Sequence, residues 1–104
     1  MDIITERFYN EHQSWIYEKV VKKGSLKLRV LIRRNSYDDQ SYLRGYAFDA
    51  IHLQWNLLVD RPMKKESAKC YEVSYVQPRE KANLKSFQDD AMAVIGEMLQ
   101  IVAD

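Results

Sequence analysis

The stretch Leu26-Lys27-Leu28-Arg29-Val30-Leu31-Ile32-Arg33 has a hydrophobic period of two. Leu26, Leu28, Val30 and Ile32 fall on one side of an extended backbone, and Lys27, Arg29, Leu31 and Arg33 on the other, because successive side chains of a strand point to opposite faces. A strand that is apolar on one face suits an antiparallel sheet with one covered and one open side. Asn35 to Gln40 follows with turn-forming Asn, Ser and Asp, and Ser41 to about Phe48 reads as a second strand. Setting Arg33 opposite Tyr42 places Ile32 by Leu43, Val30 by Gly45 and Leu28 by Ala47, so large residues meet small ones on the apolar face. The other face then gathers Arg29, Arg33 and Arg44 with Tyr42, Tyr46 and Phe48, and a slip of one residue would mix the two sets.

Upstream, Ile4, Phe8, His12, Ile16 and Val20 recur every four residues behind Asp2, which predicts a helix ended by Lys22, Lys23 and Gly24. The β-branched and aromatic content of Trp15 to Val21 supports a rival: a helix ending near Ser14, then a strand entering a hairpin at Lys22 to Ser25. Downstream, Asp49 to Leu53 reads as a turn and Gln54 to Val59 as a third strand ended by Asp60, Arg61 and Pro62. Met63 to Ala68 reads as a charged loop and Cys70 to Val76 as a fourth strand. A final helix is marked by Ser86 with Asp89 three residues on, and by the stripe Leu84, Phe87, Ala91, Val94, Ile95, Met98 and Val102. The expected fold is therefore α+β: a four-stranded antiparallel meander with N- and C-terminal helices packed on one face, in the order α-β-β-β-β-α, as a single domain over 1–104.

Composition narrows the chemistry. With 104 residues, 46% hydrophobic and 30% charged, the chain is expected to fold around one core. A single cysteine, Cys70, excludes an internal disulfide and suits a reducing, cytoplasmic setting. Residues 1–22 do not resemble a signal peptide, and no apolar stretch approaches the roughly 18 residues a membrane span requires. Metal chemistry has only His12, His52 and Cys70 to draw on, without paired spacing. Gly24, Gly45 and Gly96 are isolated and form no phosphate-binding loop. Cys70 falls in an expected strand without an adjacent histidine to activate it, and no nucleophile elbow is present. The expectation is a protein that is not an enzyme and uses no cofactor or metal.

A net charge of +1 conceals segregation along the chain. Residues 22–46 carry Lys22, Lys23, Lys27, Arg29, Arg33, Arg34 and Arg44 against Asp38 and Asp39, whereas residues 86–104 carry Asp89, Asp90, Glu97 and Asp104 with no base. Two oppositely signed surfaces are expected if the ends pack together. Arginine and tyrosine are enriched at contact cores, and Tyr9, Tyr17, Tyr37, Tyr42, Tyr46, Tyr71 and Tyr75 exceed what one small core buries. Arg29, Arg33, Arg34, Tyr37, Tyr42, Arg44 and Tyr46 are accordingly the candidate partner-binding residues. The same basic and aromatic face would suit single-stranded nucleic acid, and an open sheet would suit a homodimer.

The run Arg33-Arg34-Asn35-Ser36-Tyr37-Asp38-Asp39-Gln40-Ser41-Tyr42, after an alternating basic strand, resembles one in small bacteriophage and mobile-element accessory proteins. That resemblance implies a non-enzymatic protein that inhibits a host protein complex, of defence or nucleic-acid processing, by occupying its surface.

Overall fold

Extended backbone begins at Asp2. The computed structural model describes residues 1–35, 37–64 and 77–103. Strands β1 (Asp2–Glu11), β2 (Ser14–Lys23), β3 (Leu26–Arg34), β4 (Ser41–Asp49) and β5 (Gln54–Met63) precede one helix, α1 (Gln77–Ala103). The strands form a five-stranded antiparallel sheet in the order β1-β2-β3-β4-β5, each paired with its neighbour in sequence.

The expected four strands between two flanking helices are thus corrected to five described strands and a C-terminal helix. The N-terminal segment is a hairpin. His12 and Gln13 form its two-residue turn with φ of 51° and 61°, the positive values that a type I′ hairpin turn needs. That geometry is normally signalled by Asn-Gly or Asp-Gly, and His-Gln carries no such signal. A four-residue repeat also misleads, because four is a multiple of two as well as close to a helical turn. The five residues of the repeat do not lie on one face: a bulge between Ile3 and Thr5 displaces Ile4, Phe8 faces α1, His12 lies in the turn, and Ile16 and Val20 pair with Arg33 and Arg29 on the far side. Trp15 to Val21 does form a strand entering a hairpin, with Lys23 paired to Leu26 and Gly24 at φ 61° between them.

The β3–β4 register has the expected partners: Arg33 with Tyr42, Ile32 with Leu43, Val30 with Gly45 and Leu28 with Ala47. β5 runs four residues past Val59 and includes Pro62. Proline is tolerated there because β5 is an edge strand, so its missing N–H costs no ladder bond. α1 starts nine residues before Ser86, with Pro78 in its first turn, where no intrahelical donor is needed. The expected strand Cys70–Val76 lies outside the described residues.

α1 crosses one face of the sheet. Phe87, Ala91, Val94, Ile95 and Met98 bury completely against Tyr17, Val21, Leu28, Val30, Ile32 and Leu43, whereas Val102 is exposed. At the β1–β2 end Phe8 stacks on Trp15 at 4.7 Å between ring centroids and meets Phe87 at 5.2 Å. At the other end a Cβ on Gly45 would lie 2.6 Å from Met98 Sδ and 2.9 Å from Val94 Cγ1, so glycine sets how closely the helix approaches. Gly45→Val should destabilise the fold by roughly 1–3 kcal/mol through overpacking, read as a lower denaturation midpoint with an unchanged slope.

The buried Tyr17 hydroxyl donates to Glu6, and Gln88 of α1 donates to the same carboxylate at 3.1 Å. The Tyr17 bond, then the Gln88 bond, hold the Glu6 carboxyl below its ordinary value of 4.5, while burial and the carboxylate push the Tyr17 hydroxyl up. A depressed carboxyl pKa adds stability that is complete above the unfolded value and is lost as pH falls through the folded one. Glu6→Gln should therefore flatten the loss of stability on acidification below about pH 4.5, measured by thermal melts at a series of pH values.

Candidate functional site

The face opposite α1 is built by the alternate residues of every strand. Arg7 of β1 sits opposite Glu18 of β2 and reaches it at 3.8 Å. Arg29 of β3, on the diagonal, donates from Nε to Glu18 at 2.7 Å, and its guanidinium lies 5.6 Å from the ring centroid of its cross-strand partner Tyr46. Arg44 of β4 donates to Asp60 of β5 at 3.1 Å and lies over the Tyr42 ring at 4.0 Å. Arg33 donates to the Gln40 carbonyl at 2.8 Å and has Asp38 at 3.6 Å. The Gln40 N–H, reinforced by Asn35 and Arg33, holds the Asp38 carboxyl below its ordinary range. Lys27 lies 5.2 Å from the Phe48 ring and 5.9 Å from that of Trp55.

Five of the seven expected contact residues, Arg29, Arg33, Tyr42, Arg44 and Tyr46, therefore share this face. Arg34 does not. Strand alternation turns it to the helix side, where it is fully buried and donates to the carbonyls of Arg33 and Tyr42. Tyr37 stands apart in the β3–β4 loop, 48% exposed, and donates to the His12 carbonyl at 2.8 Å. Arg7, Glu18, Trp55 and Asp60 also stand on this face and were not expected there, whereas Lys27 lies on the side where the alternation of β3 puts it. Glu18 would have emerged had β2 been paired to β3 through the Lys22–Ser25 hairpin; Asp60 needed β5 to continue past Val59.

These pairs change the electrostatics read from the sequence. Basic residues dominate 22–46, yet Glu18 from β2 and Asp60 from β5 stand among them on the folded surface. Arg61 meets Glu97 of α1 on the covered side. Charges segregated along the chain are interleaved in space. Side chains held by a carboxylate and an aromatic ring lose little further freedom on binding, which suits a pre-organised contact surface.

One end of the face is fixed by a buried polar knot. Asn35 donates from Nδ2 to Ser14 Oγ at 3.4 Å, its N–H donates to Ser41 Oγ at 3.1 Å, and its Oδ1 accepts the N–H groups of Tyr37 and Asp38. The knot ties the β1–β2 turn to the β3–β4 loop. Beside it Arg33, Ser41, Tyr42, Arg44 and Pro62 border an open hollow of about 410 Å3.

Among the described residues no group of three or more His, Cys, Asp and Glu side chains gathers at metal-binding distance, and no helix is long and apolar enough to cross a membrane. His12 and His52 sit in turns at opposite ends of the sheet. Comparison with protein families, with curated proteins and with solved structures gives no match.

Asn35→Ala should lower stability by roughly 1–3 kcal/mol, because it leaves the Ser14 hydroxyl without a donor and the N–H groups of Tyr37 and Asp38 without their acceptor. Calorimetric melts of the variant check this.

Proposed function

We propose that the protein is a non-enzymatic accessory protein, of the kind found in bacteriophages and mobile elements, that inhibits a host protein complex by binding it through the open face of its sheet. The observation that carries this reading is a sheet face that no described element covers, with Arg29, Arg33 and Arg44 each held by a carboxylate or carbonyl beside Tyr42 and Tyr46. Arginine and tyrosine are the residue types most enriched where a few side chains dominate binding. The pairing favours a protein partner over nucleic acid. Binding to a phosphate backbone draws on cations that displace counterions, whereas Glu18, Asp38 and Asp60 already neutralise these. The Tyr42 ring is also covered by Arg44 instead of being open to a stacking base.

The immobilised protein should retain a specific partner from a bacterial lysate, and that partner, once purified, should bind Tyr46→Ala and Arg44→Ala roughly 10- to 100-fold more weakly. Circular dichroism should show both variants folded. Unchanged affinity in both variants would remove the open face as the interface. Tight, steeply salt-dependent anisotropy changes with labelled single-stranded DNA or RNA would replace the protein partner with nucleic acid.

A further inference from the structure

Lys19 lies on the covered side of β2, between Tyr17 and Val21 and opposite Val30 of β3, where strand alternation gives a core position. It is only 6% exposed. An ammonium carries three donors and no acceptor, and burial takes away the water that would satisfy them. The carboxylate across the strand pair, Glu6, accepts from Tyr17 and Gln88 and meets Lys19 through its charge without a hydrogen bond. Among the described residues the one hydrogen-bond acceptor of Lys19 Nζ is the thioether of Met92, with Sδ at 3.7 Å. A thioether is a weak acceptor, so a charge withdrawn from water has a partner that returns little.

Met92 belongs to α1, one helical turn after Gln88, so both stand on the flank of the helix that meets β1 and β2. It is 46% exposed, unlike Met98, which is sealed over Gly45. Its side chain thus borders solvent as well as a buried cation. Oxidation of such a sulfur gives the sulfoxide, a polar group whose oxygen is a far stronger acceptor than the thioether it replaces. The geometry is already suited to it. An oxygen one bond length from Sδ can stand about 2.8 Å from Nζ, the length of a charge-assisted hydrogen bond. Neither side chain has to move, because a bent S–O···N path spans the 3.7 Å between sulfur and nitrogen.

We infer that Met92 is an oxidation site for hydroperoxides whose sulfoxide oxygen accepts from Lys19, so that the modification ties α1 to β2 more firmly than the unmodified thioether does. In the step a lone pair of Sδ attacks the terminal oxygen of the hydroperoxide. The S–O bond forms as the O–O bond breaks, sulfur loses two electrons, and the proton of the transferred oxygen passes to the departing oxygen, which leaves as water or an alcohol. Methionine oxidation at a packed surface ordinarily disrupts it by placing a polar oxygen among apolar groups. At Met92 the sign is reversed, because the oxygen meets a buried ammonium that lacks a strong acceptor. The sulfoxide is also the rung of thioether oxidation that reductases return to methionine. This inference is independent of the proposed contact function.

Wild type, Met92→Leu and Lys19→Leu are treated with dilute hydrogen peroxide, each added oxygen is located by peptide mass mapping, and melting is followed by circular dichroism. Met92 should gain its oxygen well ahead of Met98. The oxidised wild type should melt roughly 4–8 °C above the untreated protein, the shift that one good hydrogen bond produces in a domain of this size. Treated Met92→Leu, which still carries any oxidation of Met1 and Met63, should show no rise. In Lys19→Leu the Met92 sulfoxide should lower the midpoint, because its oxygen then lacks the buried donor. A second readout needs no variant: the Nζ–H signal of Lys19 in a proton–nitrogen correlation spectrum should exchange with water more slowly after oxidation. Oxidation of Met92 no faster than Met98, a level or falling midpoint in the oxidised wild type, or an unchanged Lys19 signal would each overturn the inference. A rise that persists in Lys19→Leu, or that appears in Met92→Leu, would overturn it as well.

Discussion

Among the described elements one helix lies across the sheet, and its close approach depends on the missing side chain of Gly45. With Val94 and Met98 seated over that glycine, Phe87 one end along reaches Phe8 and Tyr17, and the stripe between them closes over Val30 and Ile32. One helix covers one face. Among the described residues no element covers the other face of the five strands, and everything proposed about function follows from that asymmetry.

What occupies the open face is governed by cross-strand neighbours. Glu18 belongs to an acidic stretch of sequence, yet the hairpin carries it into the middle of the arginines, between Arg7 and Arg29. Asp60 does the same for Arg44 from the opposite edge. The more exposed of these pairs, Arg44 with Asp60, adds little to stability. Their consequence is geometric: guanidinium groups are held near the Tyr42 and Tyr46 rings, and carboxylates stand beside the arginines of the face.

Much of the central hairpin was legible, because alternation in Leu26 to Arg33 and the small residues Gly45 and Ala47 admit one parity only. The five candidate contact residues on β3 and β4 follow from the same parity. Arg34 was misread because it follows Arg33 and looks like part of a basic cluster, whereas strand alternation sends adjacent residues to opposite faces. The first hairpin was illegible for a different reason. His12 and Gln13 adopt a turn that neither residue favours, and the turn is secured from a distance, by Tyr37 and Asn35 of another loop.

Local periodicity by itself determined the covered and open faces of β3 and β4, their register and the apolar stripe of α1, because each of these is set by side chains within a few residues of one another. The tertiary structure alone decided that the first twenty-three residues are two strands, that β5 runs through Pro62 at an edge, and that acidic and basic segments interleave on one surface. Those outcomes depend on contacts between residues distant in sequence, where packing against α1 and hydrogen bonds to another loop outweigh local preference.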